Sequence, residues 1–252
     1  MLLTGDGSNS AETATKRTTT RSSGEIMTEF NLWRDQGIAD GIRTRLRFED
    51  RLATGYLALT IMLWYLVQIG VVFLGGDKAF IQWMFTTQSF PALSPGLFFS
   101  IISHAFPPRL THLFGNVAML WLFGGECEQH LGKVELVGFF VVTSLASVSL
   151  GTAVSGQNTL GASGGILAFV GFYCVHMVGT HREVFDFETL TEAGSMGLRT
   201  YWGVILALTP IVLILYSVGQ IIGLLPVSRT DAIGHLTGVL CGIGYAFIRS
   251  RI

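Results

Sequence analysis

Apolar residues run almost unbroken through most of this chain, and the interruptions define its elements. From position 52 the stretch "LATGYLALTIMLWYLVQIGVVFLG" carries no charge, and it matches the ~20 apolar residues a helix needs to cross a bilayer. Comparable runs follow at roughly 110–125, 136–154, 160–179, 201–225 and 232–248, with an apolar lead-in at 96–106 before the second. The pattern predicts an all-α membrane protein with six spanning helices. Pro210 falls inside the fifth run and predicts a kink that neighbouring helices accommodate.

Before position 52 the pattern changes. The first 30 residues, including "TKRTTTRSSG", are polar and rich in Thr and Ser, which reads as disorder. Residues 31–51 place Ile38, Ile42 and Leu46 at i, i+4 spacing and predict a short interfacial helix, interrupted by Gly37 and Gly41. The first apolar run starts too late for a signal peptide. The expected division is therefore a largely disordered cytoplasmic segment, 1–51, followed by a membrane domain, 52–252.

Composition agrees with the pattern. Half of the 252 residues are hydrophobic and 13% are charged, with a mean hydropathy of +0.53. A soluble domain carries about 25% charged residues. Residues 1–51 alone hold 8 of the 16 Lys and Arg and 8 of the 17 Asp and Glu. The net charge of −1 says nothing about a nucleic-acid partner and no basic patch argues for one, so none is expected. Cys127, Cys174 and Cys241 show no CxxC spacing, so they read as small buried hydrophobes rather than ligands, and neither a metal nor a cofactor is expected.

Basic residues near the span ends set the orientation. With the N-terminus cytoplasmic, that side receives Arg43, Arg45, Arg47, Arg51, Lys133, Arg182, Arg199, Arg249 and Arg251, and the other receives Lys78, Arg109 and Arg229. The excess predicts a multi-pass cell-membrane protein with both termini cytoplasmic. The loop 76–109 then lies outside, and its Pro, Ser, Trp and Phe suggest a structure partly dipping into the bilayer.

Polar side chains within spans are costly and point to function. Here they are His112 and Asn116 in the second run, Ser163 and His176 in the fourth, and His235 in the sixth. Gln68 and Gln220 each stand alone and read as bonds to a neighbouring helix. Glu126, Glu128 and Glu135 fall at the cytoplasmic turn, and Asp231 starts the last helix. Under the predicted orientation His112, Asn116, Ser163 and His235 share the outer leaflet, whereas His176 lies alone near the inner face. His104, His130 and His181 fall in loops or turns.

Spacing connects three of these helices. His112 and Asn116 are four apart and share a helix face. Gly234, Gly238 and Gly242 form a small-xxx-small series beside His235, and Gly161, Ala162, Gly164, Gly165, Ala168 and Gly171 offer a matching set around Ser163. Close packing of the two helices brings His235 onto Ser163 as general base to nucleophile. No acidic group is available at this depth to orient the imidazole, so the pair is expected to act as a dyad. His112, Asn116 and the backbone N–H of Ser163 are the candidate oxyanion donors.

The chain resembles the rhomboid family of intramembrane serine proteases across residues 52–248. The resemblance rests on "HLFGN" (His112–Asn116), "GGECEQHLG" (Gly124–Gly132), "GASGG" (Gly161–Gly165) and "GHLTGVLCG" (Gly234–Gly242) in that order. It implies a six-transmembrane-helix rhomboid-like bundle whose short, buried fourth helix carries the serine. It also implies Ser163 as nucleophile, His235 as base, His112 and Asn116 as oxyanion stabilisers, and Glu128 as a structural acid. The substrates implied are single-pass transmembrane proteins cut at a small residue within the lipid bilayer. Two features depart from the family: Phe99-Ser100 stands where many members have Trp-Arg, and "FPPRLTH" lacks a histidine found in several.

Other classes fit less well. The GxSxG spacing at Gly161–Gly165 also occurs in soluble α/β-hydrolases, but no buried strand precedes it. A membrane metalloprotease needs HExxH, and an intramembrane aspartyl protease needs two aspartates within spans. A transporter usually shows paired repeats. The remaining alternative is a catalytically silent rhomboid-like protein that binds membrane clients.

Overall fold

The computed structural model describes residues 51–88, 94–104, 110–180, 197–226 and 231–250. The chain divides into two units, Met1–Arg47 and Phe48–Ile252, and every described residue belongs to the second. The expected interfacial helix over 31–51, with Ile38, Ile42 and Leu46, lies outside the described residues, as does His181.

Each apolar run is helical. The first forms α1, Leu52–Phe73. The segment between the first two runs contributes two short helices, α2 (Lys78–Phe85) and α3 (Gly96–Phe99). The second run gives α4 (Leu110–Met119), a π-helical turn (Leu120–Gly124) and α5 (Gly125–Leu131). Then come α6 (Lys133–Ser155), α7 (Ser163–Thr180), α8 (Gly197–Ile221) and α9 (Ala232–Arg249). Pro210 lies within α8. Three of these helices, α1, α6 and α9, are long and apolar enough to cross a membrane. Ser163–His176 and Leu208–Ile221 are shorter apolar stretches.

The arrangement of apolar side chains is that of a membrane protein. Tyr56, Leu63, Leu66, Phe73, Val142, Val154, Val212 and Leu215 are all exposed on the outer faces of long helices. A soluble monomer rarely presents contiguous apolar surface on this scale, and a bilayer covers it without penalty. The buried centre is α7, where Ile166, Ala168, Phe169 and Val170, with Ala162 just before the helix, are almost wholly enclosed. Helices α4, α6, α8 and α9 pack around it.

The end of the bundle away from Ser163 is tied by charge. Helix α5 carries the second run on to Leu131, so Glu126 and Glu128 sit on a helix, and the turn itself is Gly132, at φ +74°. This corrects the expectation that these acids occupy the turn. The Glu128 carboxylate accepts from the backbone N–H groups of Ala53 and Thr54 at 2.9 and 2.8 Å, and from the Thr54 hydroxyl at 2.8 Å. It thereby caps α1, whose first N–H groups have no partner within the helix. Arg51, 2% exposed, donates to Glu126 and to the carbonyl of Trp121 in the π-helical turn, each at 2.6 Å. That guanidinium lies over Gly125, where a Cβ would meet Arg51 Nη1 at 2.3 Å.

Candidate active site

Ser163 is the first residue of α7, and the loop before it is fixed from two sides. Helix α6 ends at Gly156, whose left-handed φ of +67° turns its N–H back to the Thr152 carbonyl at 2.9 Å. From α6, Thr159 is held by Val148 O, which accepts from its hydroxyl at 2.8 Å. From the segment that follows α2, Thr87 pairs with Thr159 through two backbone hydrogen bonds of 2.8 and 3.3 Å. The Gly161 N–H donates to Ser100 O at 2.9 Å. Gly161 itself adopts φ +140°, a conformation that side-chain-bearing residues rarely reach. The chain therefore enters α7 at a fixed angle with Ser163 at the helix start.

The remaining glycines of "GASGG" admit a neighbouring helix. A Cβ on Gly164 would stand 2.3 Å from Ser147 Cβ, and one on Gly165 would stand 2.0 Å from Ser144 Oγ. Both therefore receive α6, which corrects the expectation that all the small residues around Ser163 face the last helix. Contact with α9 begins at the Gly164 carbonyl and runs on along α7. A Cβ on Gly238 would meet Gly164 O at 2.1 Å, one on Gly242 would meet Ala168 O at 2.0 Å, and one on Gly171 would meet Val239 O at 2.2 Å. Gly234, the first of the α9 series, instead faces the Asp231 carboxylate and Ser147 O of α6.

Backbone-to-backbone packing of α7 against α9 brings the predicted pair together. Ser163 Oγ lies 2.9 Å from His235 Nε2, and Ser163 is 8% exposed. A narrow open cleft lies beside them, lined in part by Ser147, Leu160, Gly161 and Asp231. Asp231 caps α9, its Oδ1 accepting from Gly234 N–H at 2.9 Å. Burial raises its carboxyl above the ordinary carboxylate range, and the backbone bonds from Gly234 and Ile233 act in the opposite direction.

The second predicted pair also forms a cluster. Asn116 Nδ2 lies 3.3 Å from His112 Nε2, one helical turn away on α4. Helix α4, which carries this cluster, packs against α7, which starts at Ser163.

Sequence reasoning passed over a third member. His104 Nε2 is 2.9 Å from Asn116 Nδ2, and its ring centroid is 5.9 Å from that of His112. Gln68 does not bond a neighbouring helix, as its isolation suggested. It brackets the His104 backbone, with His104 N–H donating to Gln68 Oε1 at 3.1 Å and Gln68 Nε2 donating to His104 O at 3.3 Å. A histidine in an otherwise apolar lead-in was the available signal. Gln220 donates to Tyr216 Oη and Pro226 O, both at 3.1 Å. His176 is not solitary either, because its ring lies 3.9 Å from that of His130 and stacks on Phe172.

Comparison with known proteins follows the same lines. A family model described as Rhomboid domain matches residues 94–252. The chain is 28% identical over 205 residues to a protein named Rhomboid protease GlpG from Yersinia pseudotuberculosis serotype I (strain IP32953), covering 80% of this chain and 65% of that protein. It is 28% identical over 141 residues to Rhomboid protease GlpG from Haemophilus influenzae (strain ATCC 51907 / DSM 11121 / KW20 / Rd), covering 56% of this chain and 64% of the relative. The match thus spans just under two thirds of the length of each relative.

Proposed function

Since the chain belongs to the rhomboid family, we propose that it is an intramembrane serine endopeptidase, hydrolysing peptide bonds in or near the transmembrane segments of single-pass membrane proteins. The observation that carries this reading is the 2.9 Å approach of Ser163 Oγ to His235 Nε2 inside an apolar bundle. The Ser163 hydroxyl attacks the scissile carbonyl carbon while His235 takes its proton and passes it to the leaving amine. A water, deprotonated by the same imidazole, then releases the acyl group and restores the serine hydroxyl. His112, Asn116 and the Ser163 N–H donate to the oxyanion formed in each step.

In this reading the six helical runs form a six-span bundle with both termini cytoplasmic, and cleavage occurs toward the outer face. A helical substrate hides its carbonyls in i→i−4 hydrogen bonds and must unwind before attack. Substrates with Gly or Pro beside a small residue are therefore cut fastest. Fluorophosphonate labelling of the purified protein tests the reading. Labelling and cleavage are expected in the wild type, and both are lost in Ser163→Ala. A wild type that neither labels nor cleaves, yet still binds single-pass helices, would instead identify a catalytically silent client-binding protein.

A further inference from the structure

His104 is 1% exposed and belongs to the outer segment rather than to a long helix. Its backbone is fixed by both polar atoms of Gln68, itself fully buried in α1. Gln68 therefore fixes where the His104 backbone stands, and the His104 Nε2 is 2.9 Å from Asn116 Nδ2.

The chemistry of the two groups decides what this contact does. An amide nitrogen carries two hydrogens and accepts nothing. The imidazole nitrogen facing it must therefore offer a lone pair, which makes His104 neutral with its proton on Nδ1. Burial, then the neighbouring His112, lowers the His104 pKa to about 4, in keeping with a neutral ring. One Asn116 N–H is thus committed to His104. The other points toward His112 Nε2, 3.3 Å away, which by the same rule offers it a lone pair in the resting site. An oxyanion forming beside the two can take that N–H in place of the imidazole, provided the amide does not rotate.

We infer that His104, held by Gln68, is a positioning residue for Asn116: by accepting one amide N–H it fixes the rotation that presents the other to the oxyanion. The inference rests on the functional reading above. A side chain acting in this way matters to turnover only through Asn116, whereas a histidine that merely fills space matters to stability whatever residue 116 is.

A double-mutant cycle on the full-length protein in detergent micelles separates the two. It compares wild type, His104→Ala, Asn116→Ala and the double variant on a single-pass substrate. Misplacing a catalytic group by about 1 Å costs on the order of 10²-fold in rate, so His104→Ala is expected to lower kcat by roughly 10- to 100-fold, with KM nearly unchanged. In the Asn116→Ala background the same substitution is expected to change kcat by less than about twofold, the signature of two residues acting as one unit. His104→Gln, whose Oε1 can accept in place of the imidazole, is expected to recover part of the loss. Circular dichroism and thermal melting of each variant report whether the fold is kept.

An equal loss of kcat with and without Asn116 overturns the inference, as does a fall in melting temperature with kcat unchanged. Failure of the functional reading looks different: the wild type itself would neither cleave nor label.

Discussion

Ser163 Oγ and His235 Nε2 stand 2.9 Å apart although 72 residues separate them in the chain. The approach depends on glycine at Gly238, where α9 lies directly against the Gly164 carbonyl. A Cβ there would stand 2.1 Å from that oxygen, with no flexible side chain to yield. Gly238→Ala is therefore expected to push α9 off α7, separating the pair and costing about 1–3 kcal/mol of stability, as overpacked cores do. Gly244→Ala on the same helix meets nothing within 4 Å and is the matched control. Melting temperature and cleavage rate should fall together in the first variant and hold in the second. Equal behaviour of the two would show that the helix contact does not limit activity.

Asn116 distinguishes an oxyanion donor from a helix tie. As a donor to the transition state alone, its replacement by Ala should lower kcat by about 10²–10³-fold with little change in KM. As a helix tie, it should contribute only ~0.6 kcal/mol of stability, the average for such bonds in a membrane. Kinetics and thermal melting of Asn116→Ala answer the question together. A destabilised enzyme with full kcat would remove Asn116 from the catalytic set.

Asp231 makes stability depend on pH in a defined direction. Burial raises its folded-state carboxyl above the unfolded value, so the folded chain holds that proton more tightly. The resulting contribution is full below the unfolded pKa and is lost as pH rises through the folded one. Asn caps a helix as well as Asp does and carries no charge. The melting temperature of wild type minus that of Asp231→Asn should therefore decrease from the acid range toward neutrality and then level off. A difference that grows with pH would mean that the ionised carboxylate, at the helix N-terminus, is favoured by folding.

Periodicity and spacing made much of this molecule legible from its sequence. Six apolar runs are helices, and the spacing of Gly238 and Gly242 located the contact of α9 with α7 because close backbone approach requires glycine whatever else surrounds it. Polar residues in apolar runs picked out Ser163, His235, His112 and Asn116. Contacts set by tertiary folding stayed hidden. His104 reaches Asn116 with its backbone held by Gln68 of α1, a contact between distant parts of the chain that no local pattern encodes. Gly165 turns to α6 rather than α9 because α7 is buried on several sides, so one small-residue stripe serves two neighbours. Glu126 and Glu128 read as turn residues because the π-helical turn lets α5 continue beyond the apolar run.

Glu128 gives the clearest case of an acid whose importance is structural. Its carboxylate satisfies two backbone N–H groups at the start of α1 and the Thr54 hydroxyl, at 2.8–2.9 Å, and Glu128 is 5% exposed. Leaving a buried donor unpaired costs about 1–3 kcal/mol each, more where the lost partner was charged. Glu128→Ala strands all three donors and should lower stability by several kcal/mol, about 3 or more on that scale. Glu128→Gln keeps one carbonyl oxygen but turns an N–H₂ toward the other donors, so it should recover only part of the loss. Because Glu128 lies at the end of the bundle away from Ser163, whatever fraction of either variant stays folded should retain near-normal KM. Chemical denaturation in micelles combined with active-site titration measures both quantities. A fully stable Glu128→Ala with a depressed kcat per labelled Ser163 would reverse the assignment and place Glu128 among the groups that tune catalysis.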